Sequence, residues 1–208
     1  APARQSEWRA ACFGNKNLAP TQMLRFVTAG ESHGQALIAW ISGLPAGLRV
    51  DLDFINRDLH RRQLGYGRGG RQKIEKDQVE ALAGIRHGQT IGAPIALRLE
   101  NRDWANRERA MAAEDRAEDV EARRPLTAPR PGHADLAGHL KFDAPIRDVL
   151  ERASARETAA RVAAGALCRQ LLAHFGIEIA SHVRSVGTVE VPADFALAFD
   201  EIQKADSS

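Results

Sequence analysis

Cysteine is nearly absent from this 208-residue chain: Cys12 and Cys168 are the only two, and no CxxC spacing occurs. Two thiols are too few for a disulfide framework and offer no metal-ligand spacing, which points to a reducing, cytoplasmic setting. Aromatic residues are scarce at 5%, with a single tyrosine, so Ala and Leu must fill much of the core. No stretch approaches the ~18 apolar residues that a membrane span needs. The first 22 residues lack the apolar segment of a signal peptide. The seven histidines include no HExxH pattern, which argues against a metal site. A large net charge is missing too: 29 Lys+Arg against 27 Asp+Glu leave +2, which does not describe a generally cationic protein.

The charge that is present is unevenly placed. Arg57 to Lys76 carries seven Lys/Arg against two acids, and Glu108 to Glu121 carries six acids against two Arg. A local basic block in a nearly neutral chain suggests a bound anion. Residues 1–22 are polar and aperiodic, and Met23 stands directly before the first apolar alternation. They read as a non-native or disordered leader, with translation starting at Met23; a genuine N-terminal extension is the alternative. From residue 23 the spacing predicts strands over Leu24–Val27 and Ala36–Ser42, a helix over Asp53–Arg62, and strands over Gln78–Ala83 and Ile95–Leu99. Residues 100–131 are charged or Pro-rich and are expected to form a mobile segment, a lid or binding loop. A helix is expected from Ser154, opened by a Ser154–Glu157 capping box and stopped at Gly176, with a further strand within Ala180–Val191.

Four stretches have residues able to carry chemistry. "TAGESHGQA", residues 28–36, follows the first strand with Glu31, Ser32 and His33 between glycines. A lone turn histidine is ordinarily solvated or capping, but glycines admit a ligand, and Glu31 and Ser32 would orient a ring suited to moving a proton. A Ser32–His33 nucleophile is disfavoured, because adjacent residues on an extended chain point apart and GxSxG is absent. "RRQLGYGRGGR", residues 61–71, interleaves guanidiniums with glycines. Forked donors of this kind match phosphate and carboxylate oxygens. A solvated basic loop and an Arg/Gly nucleic-acid-binding module remain open readings, and the stretch is neither a P-loop nor a Rossmann fingerprint. "RPGHAD", residues 130–135, repeats the pairing of glycine, histidine (His133) and carboxylate. Arg152-Ala153-Ser154-Ala155-Arg156 opens the long helix, where unpaired N–H groups and two arginines would receive a phosphate; a plain cap is the bland reading.

In combination, these stretches resemble the chorismate synthase family. The resemblance rests on "GESHGQALIAWISGLPAGL" at 30–48, the basic loop at 61–71, "GIRHGQTIGAPIAL" at 84–97, "RPGHADLAGHLKF" at 130–142 and "VLERASARETAARVAAGAL" at 149–167. It runs in order from Met23 to about Val191. Ser42 departs from the usual Asp, and "DAPIRDV" at 143–149 is slightly short of the common form. Family members are nearly twice as long, so the chain resembles an N-terminal portion.

The resemblance implies an α+β fold, a sandwich of central helices between antiparallel sheets, here truncated. It implies a 1,4-anti-elimination of phosphate from 5-enolpyruvylshikimate 3-phosphate to give chorismate, using reduced FMN, with NADPH as a flavin reductant in some members. A cytoplasmic homotetramer, with neither nucleic acid nor membrane as partner, is implied for the full-length enzyme. Position by position, Arg62, Arg68 and Arg156 would bind substrate or NADP, and Arg152, Ala153 and Ser154 would bind the flavin. His33 would serve the reduced flavin and His133 the departing phosphate. The readings from other classes are the Arg/Gly nucleic-acid module and an inactive remnant acting as an interaction surface.

Overall fold

The computed structural model describes residues 23–64, 76–114 and 125–191. The expected leader, most of the Arg/Gly loop including Arg68, and the acidic stretch at 115–124 lie outside the described residues.

The chain opens with β1 (Arg25–Ala29) and β2 (Ala36–Ser42), followed by α1 (Leu52–Gln63). Next come β3 (Val79–Ala83), the short pair β4 (Ile85–Arg86) and β5 (Gln89–Thr90), and β6 (Ile95–Glu100). A 3-10 turn (Trp104–Asn106) and α2 (Glu108–Met111) occupy part of the segment expected to be irregular. The last part holds α3 (Asp135–Phe142), α4 (Ile146–Arg152), a 3-10 turn (Ala155–Glu157), α5 (Thr158–His174) and the pair β7 (Ser185–Val186) and β8 (Val189–Glu190).

Four strands make one antiparallel sheet in the order β1-β2-β6-β3. Alternation sets its faces. Leu37, Ala39 and Ile41 of β2 and Ile95, Leu97 and Leu99 of β6 point one way and are fully buried, while Val27 and Trp40, paired across β1 and β2, point the other way and are exposed. The buried face is covered by α1 and α5. Helix α1 starts at Asp51, whose carboxylate accepts from the N–H groups of Asp53 and Phe54, and it buries Ile55 and Leu59. Helix α5 contributes Ala159, Ala160, Ala163, Ala164, Ala166 and Leu167. Methyl side chains let that helix approach both sheet and neighbour closely, and each buried Leu or Ile adds roughly 1.5–3 kcal/mol. The expected α+β class is the class observed, as one sheet with a helical layer on it.

Three local expectations change. The long helix begins at Thr158, after a 3-10 turn, and its capping box does not form. Ser154 Oγ accepts from Arg156 N instead, and the Glu157 carboxylate is drawn off to the Thr28 hydroxyl and to Arg161. Tertiary partners outcompete the local motif. The strand expected within 180–191 is only the two-residue pair β7 and β8, turning at Gly187. Gly176, with φ +74, ends the long helix as expected.

Gly30 joins β1 to the turn that carries His33. Its φ is +99, and a Cβ there would lie 2.2 Å from the carbonyl oxygen of Ala36. Both strain and backbone overlap oppose any side chain. Gly30→Ala is expected to cost at least ~1 kcal/mol in urea unfolding; a neutral result would show that the turn sits differently.

Candidate functional site

The turn between β1 and β2 is held from two sides. On the inner side Asn101, just past β6 and 1% exposed, donates through Nδ2 to the carbonyls of Glu31 (3.1 Å) and Gly34 (2.7 Å). On the other side stands Glu151, near the end of α4. Its backbone carbonyl accepts from Ser32 N at 2.9 Å. Its carboxylate accepts from His33 N at 3.0 Å and lies 2.8 and 3.0 Å from His33 Nδ1. The Glu151 side chain is 3% exposed and that of His33 is 24% exposed. The group that orients the ring is therefore Glu151, not Glu31 or Ser32. Ser32 is buried, and its hydroxyl accepts from Ser154 Oγ at 3.0 Å.

The segment 152–158 presses against the same turn. Arg152 Nη2 donates to the carbonyl and hydroxyl oxygens of Thr28, both at 2.8 Å, and its side chain remains 44% exposed. Ala153 closes α4, donating its N–H to Val149. Burial would raise the pKa of Glu157, but bonds from the Thr28 hydroxyl and Arg161, with the nearby Arg152 charge, outweigh it and hold the carboxyl below its ordinary value.

Arg156 behaves differently from the expected phosphate-flanking arginine. Its guanidinium turns inward, donating to Asn101 Oδ1 (2.9 Å), the Glu100 carbonyl (3.1 Å) and Asp77 Oδ1 (2.5 Å). Arg62 reaches the same carboxylate at 3.4 Å and also donates to Thr158 Oγ1 and the Ala155 carbonyl. Asp77 is thus enclosed by two arginines that sequence reasoning had offered to an anionic ligand. A relay of contacts runs from Asp77 through Arg156 and Asn101 to both ends of the His33 turn. Arg152 is the arginine of this group that keeps an exposed edge beside Ser154.

His133 lies in the exposed turn before α3. That turn is anchored by Asp135, fully buried, which accepts from Arg130 N and Nε at 2.9 Å each and from Nη2 at 3.0 Å. The forked Arg130 contact, with its backbone bond, lowers the Asp135 pKa from 3.8 to about 2. A carboxyl whose pKa is depressed on folding contributes stability above its unfolded value, lost as pH falls through the folded value. The Arg130–Asp135 anchor is therefore expected to survive acidification from 3.8 down to about 2. A carbon-detected titration of the Asp135 carboxyl checks this, and a midpoint near 3.8 would refute it. Arg130 also feels the charge of Glu151, and α3 packs on α4. Arg130 thus lies within electrostatic range of the carboxylate that holds the His33 turn. His139, on α3, lies with Nδ1 2.6 Å from the Ala144 carbonyl.

Five of the sequence-nominated residues, His33, Arg152, Ala153, Ser154 and Arg156, gather at one junction, with Arg62 behind them, while His133 stands apart on the turn before α3. Glu151, Asp77 and Asn101 were missed. The profile of the chorismate synthase family matches residues 24–207, a span containing every one of these groups. The chain belongs to the chorismate synthase family.

Among curated relatives, the chorismate synthase of Symbiobacterium thermophilum is 58% identical over 183 residues, covering 86% of this chain and 47% of its own length. That of Acidobacterium capsulatum is 59% identical over 170 residues, covering 81% and 43%. A solved crystal structure of chorismate synthase superposes with a TM-score of 0.60 at 43% identity, over 83% of this chain and 40% of that one. The chain thus spans about half the length of the chorismate synthases it matches. The donor set suits an anionic flavin: the Arg152 guanidinium, on a side chain 44% exposed, is a forked cationic donor that an anionic group can reach at this junction.

Proposed function

We propose that this chain supplies the N-terminal part of a chorismate synthase active site. That site catalyses the 1,4-anti-elimination of phosphate from 5-enolpyruvylshikimate 3-phosphate. In that reaction a C–H bond and the C–O bond to phosphate break, a C=C bond forms, and phosphate leaves with the C–O electron pair. The observation that carries the proposal is the convergence of His33, Arg152 and Ser154 at one buttressed junction within the family-matched region.

Reduced FMN, when bound, supplies and recovers electron density during the elimination. The chain's own residues bind and position. Arg152 and Ser154 hold the flavin's anionic groups, with Ala153 setting their spacing at the end of α4. His33 presents Nε2, which has no hydrogen-bond partner among the described residues, as the atom that holds or moves a proton. His133 is the second proton-handling group. Arg62 and Arg156 shape the site from behind through Asp77, while Arg68, on the basic loop, binds the substrate's anionic groups. NADPH reduction of the flavin, a cytoplasmic location and a homotetrameric enzyme complete the reading. The nucleic-acid alternative loses its nearest arginine, since Arg62 is turned onto Asp77, Thr158 and Ala155.

The test is a fusion of this chain to the C-terminal half of the Symbiobacterium relative, assayed without oxygen with reduced FMN. Phosphate release and chorismate absorbance are expected together. A folded fusion that binds reduced FMN but releases no phosphate would overturn the proposal.

A further inference from the structure

We propose that Glu151 is a positioning residue that fixes the His33 ring in the tautomer protonated on Nδ1. This rests on His33 being a proton-transfer group of the site. A carboxylate can only accept, so both nitrogens of His33 that face Glu151, backbone N and Nδ1, must arrive with hydrogens. Two bonds to one carboxylate set both the turn and the ring plane. When the ring is neutral, its proton is then committed to Nδ1 and the lone pair lies on Nε2. Free imidazole side chains favour the opposite arrangement, so this tautomer is a signature of the contact.

The surroundings reinforce the assignment. Glu151 is 3% exposed, so water does not substitute for the histidine. Arg147 stands 3.9 Å from Oε1 on the same helix, and Arg130 approaches from the His133 turn within electrostatic reach. Ser32 N is bonded to the Glu151 carbonyl, so the turn cannot drift away from the carboxylate that orients its histidine. Carboxylate, imidazole and reacting atom in line are the arrangement by which an orienting acid tunes a catalytic histidine without taking the proton itself.

The readout is the nitrogen spectrum of the His33 ring in the 208-residue chain, recorded where the ring is neutral. The wild-type ring is expected to carry its proton on Nδ1. Glu151→Gln keeps a carbonyl acceptor and should keep that tautomer. Glu151→Ala should move the majority to Nε2, with the backbone spectrum otherwise preserved. In the active fusion, Glu151→Ala should lower kcat about 10–100-fold with little change in KM, and Glu151→Gln should recover part of it. A wild-type ring protonated on Nε2, or an Nδ1 tautomer unmoved in folded Glu151→Ala, overturns the assignment. The wild-type spectrum decides the matter even if the alanine variant fails to fold. An inactive fusion with the expected tautomer would count against the elimination reading and leave the positioning contact standing.

Discussion

Replacing Asp77 with alanine is expected to destabilise the protein by about 3–5 kcal/mol, the usual effect of removing one partner from a buried ion pair. The Asp77 side chain has no exposed surface, while Arg156 and Arg62 beside it are 6% and 14% exposed. Without the carboxylate, two guanidiniums remain in a site that water reaches poorly. Against a typical total of 5–15 kcal/mol, such a loss takes a large share of the stability. The damage should spread, because Arg156 also holds Asn101, and Asn101 holds both ends of the His33 turn. Urea unfolding of Asp77→Ala measures the loss, and a cost below ~1 kcal/mol would show that both arginines find water easily. The double variant Asp77→Ala with Arg156→Met should recover part of it, since it removes the stranded charge. If the two losses merely add, the pair is not coupled.

What the sequence showed and what it hid follow from the range of the interactions. Alternation along Ala36–Ser42 and Ile95–Leu99 marks strands because each has one buried face. The helix over 53–62 was visible from its apolar spacing and is observed one residue longer at each end. Ser154 to Glu157 has the composition of a capping box, but Thr28, 129 residues away from Glu157, takes the acid that would close it. The site divides in the same way. Gly-flanked histidines and arginine clusters are conspicuous residue types in short stretches. Their supports are not: Glu151 meets His33 across 118 residues, Arg156 meets Asp77 across 79, and it meets Asn101 across 55. Nothing in the local sequence marks Asp77, a single acid after a basic block, as the counterion of two arginines. Glu151 was within view, one residue before Arg152 in a stretch already singled out. An acid directly before Arg152 was the available signal, but Glu31 and Ser32, nearer to His33 in the chain, are the more conspicuous candidates to orient its ring.

His33→Ala and His133→Ala are each expected to slow phosphate release in the active fusion by roughly 10²–10⁴, the range for loss of a positioned acid or base. At 1.36 kcal/mol per tenfold, that is about 2.7–5.4 kcal/mol of transition-state stabilisation. The reason to expect so large an effect at His33 is geometric. Its ring is held by a buried carboxylate rather than left to solvent, so its loss removes a group whose orientation the fold maintains. His133 sits on an exposed turn, yet that turn is locked by the forked Arg130–Asp135 contact, which fixes the backbone from which the ring projects. His33→Gln and His133→Gln separate the proton from the shape, since an amide fills similar space and forms hydrogen bonds but does not exchange a proton near neutral pH. Both should remain as slow as the alanine variants while still binding substrate. The two roles are expected to be separable: the absorbance of bound reduced flavin should change in one variant and not in the other, and this assigns which histidine serves the flavin. Parental rates in both alanine variants would remove the histidines from the chemistry and leave the junction around Glu151 a structural clasp.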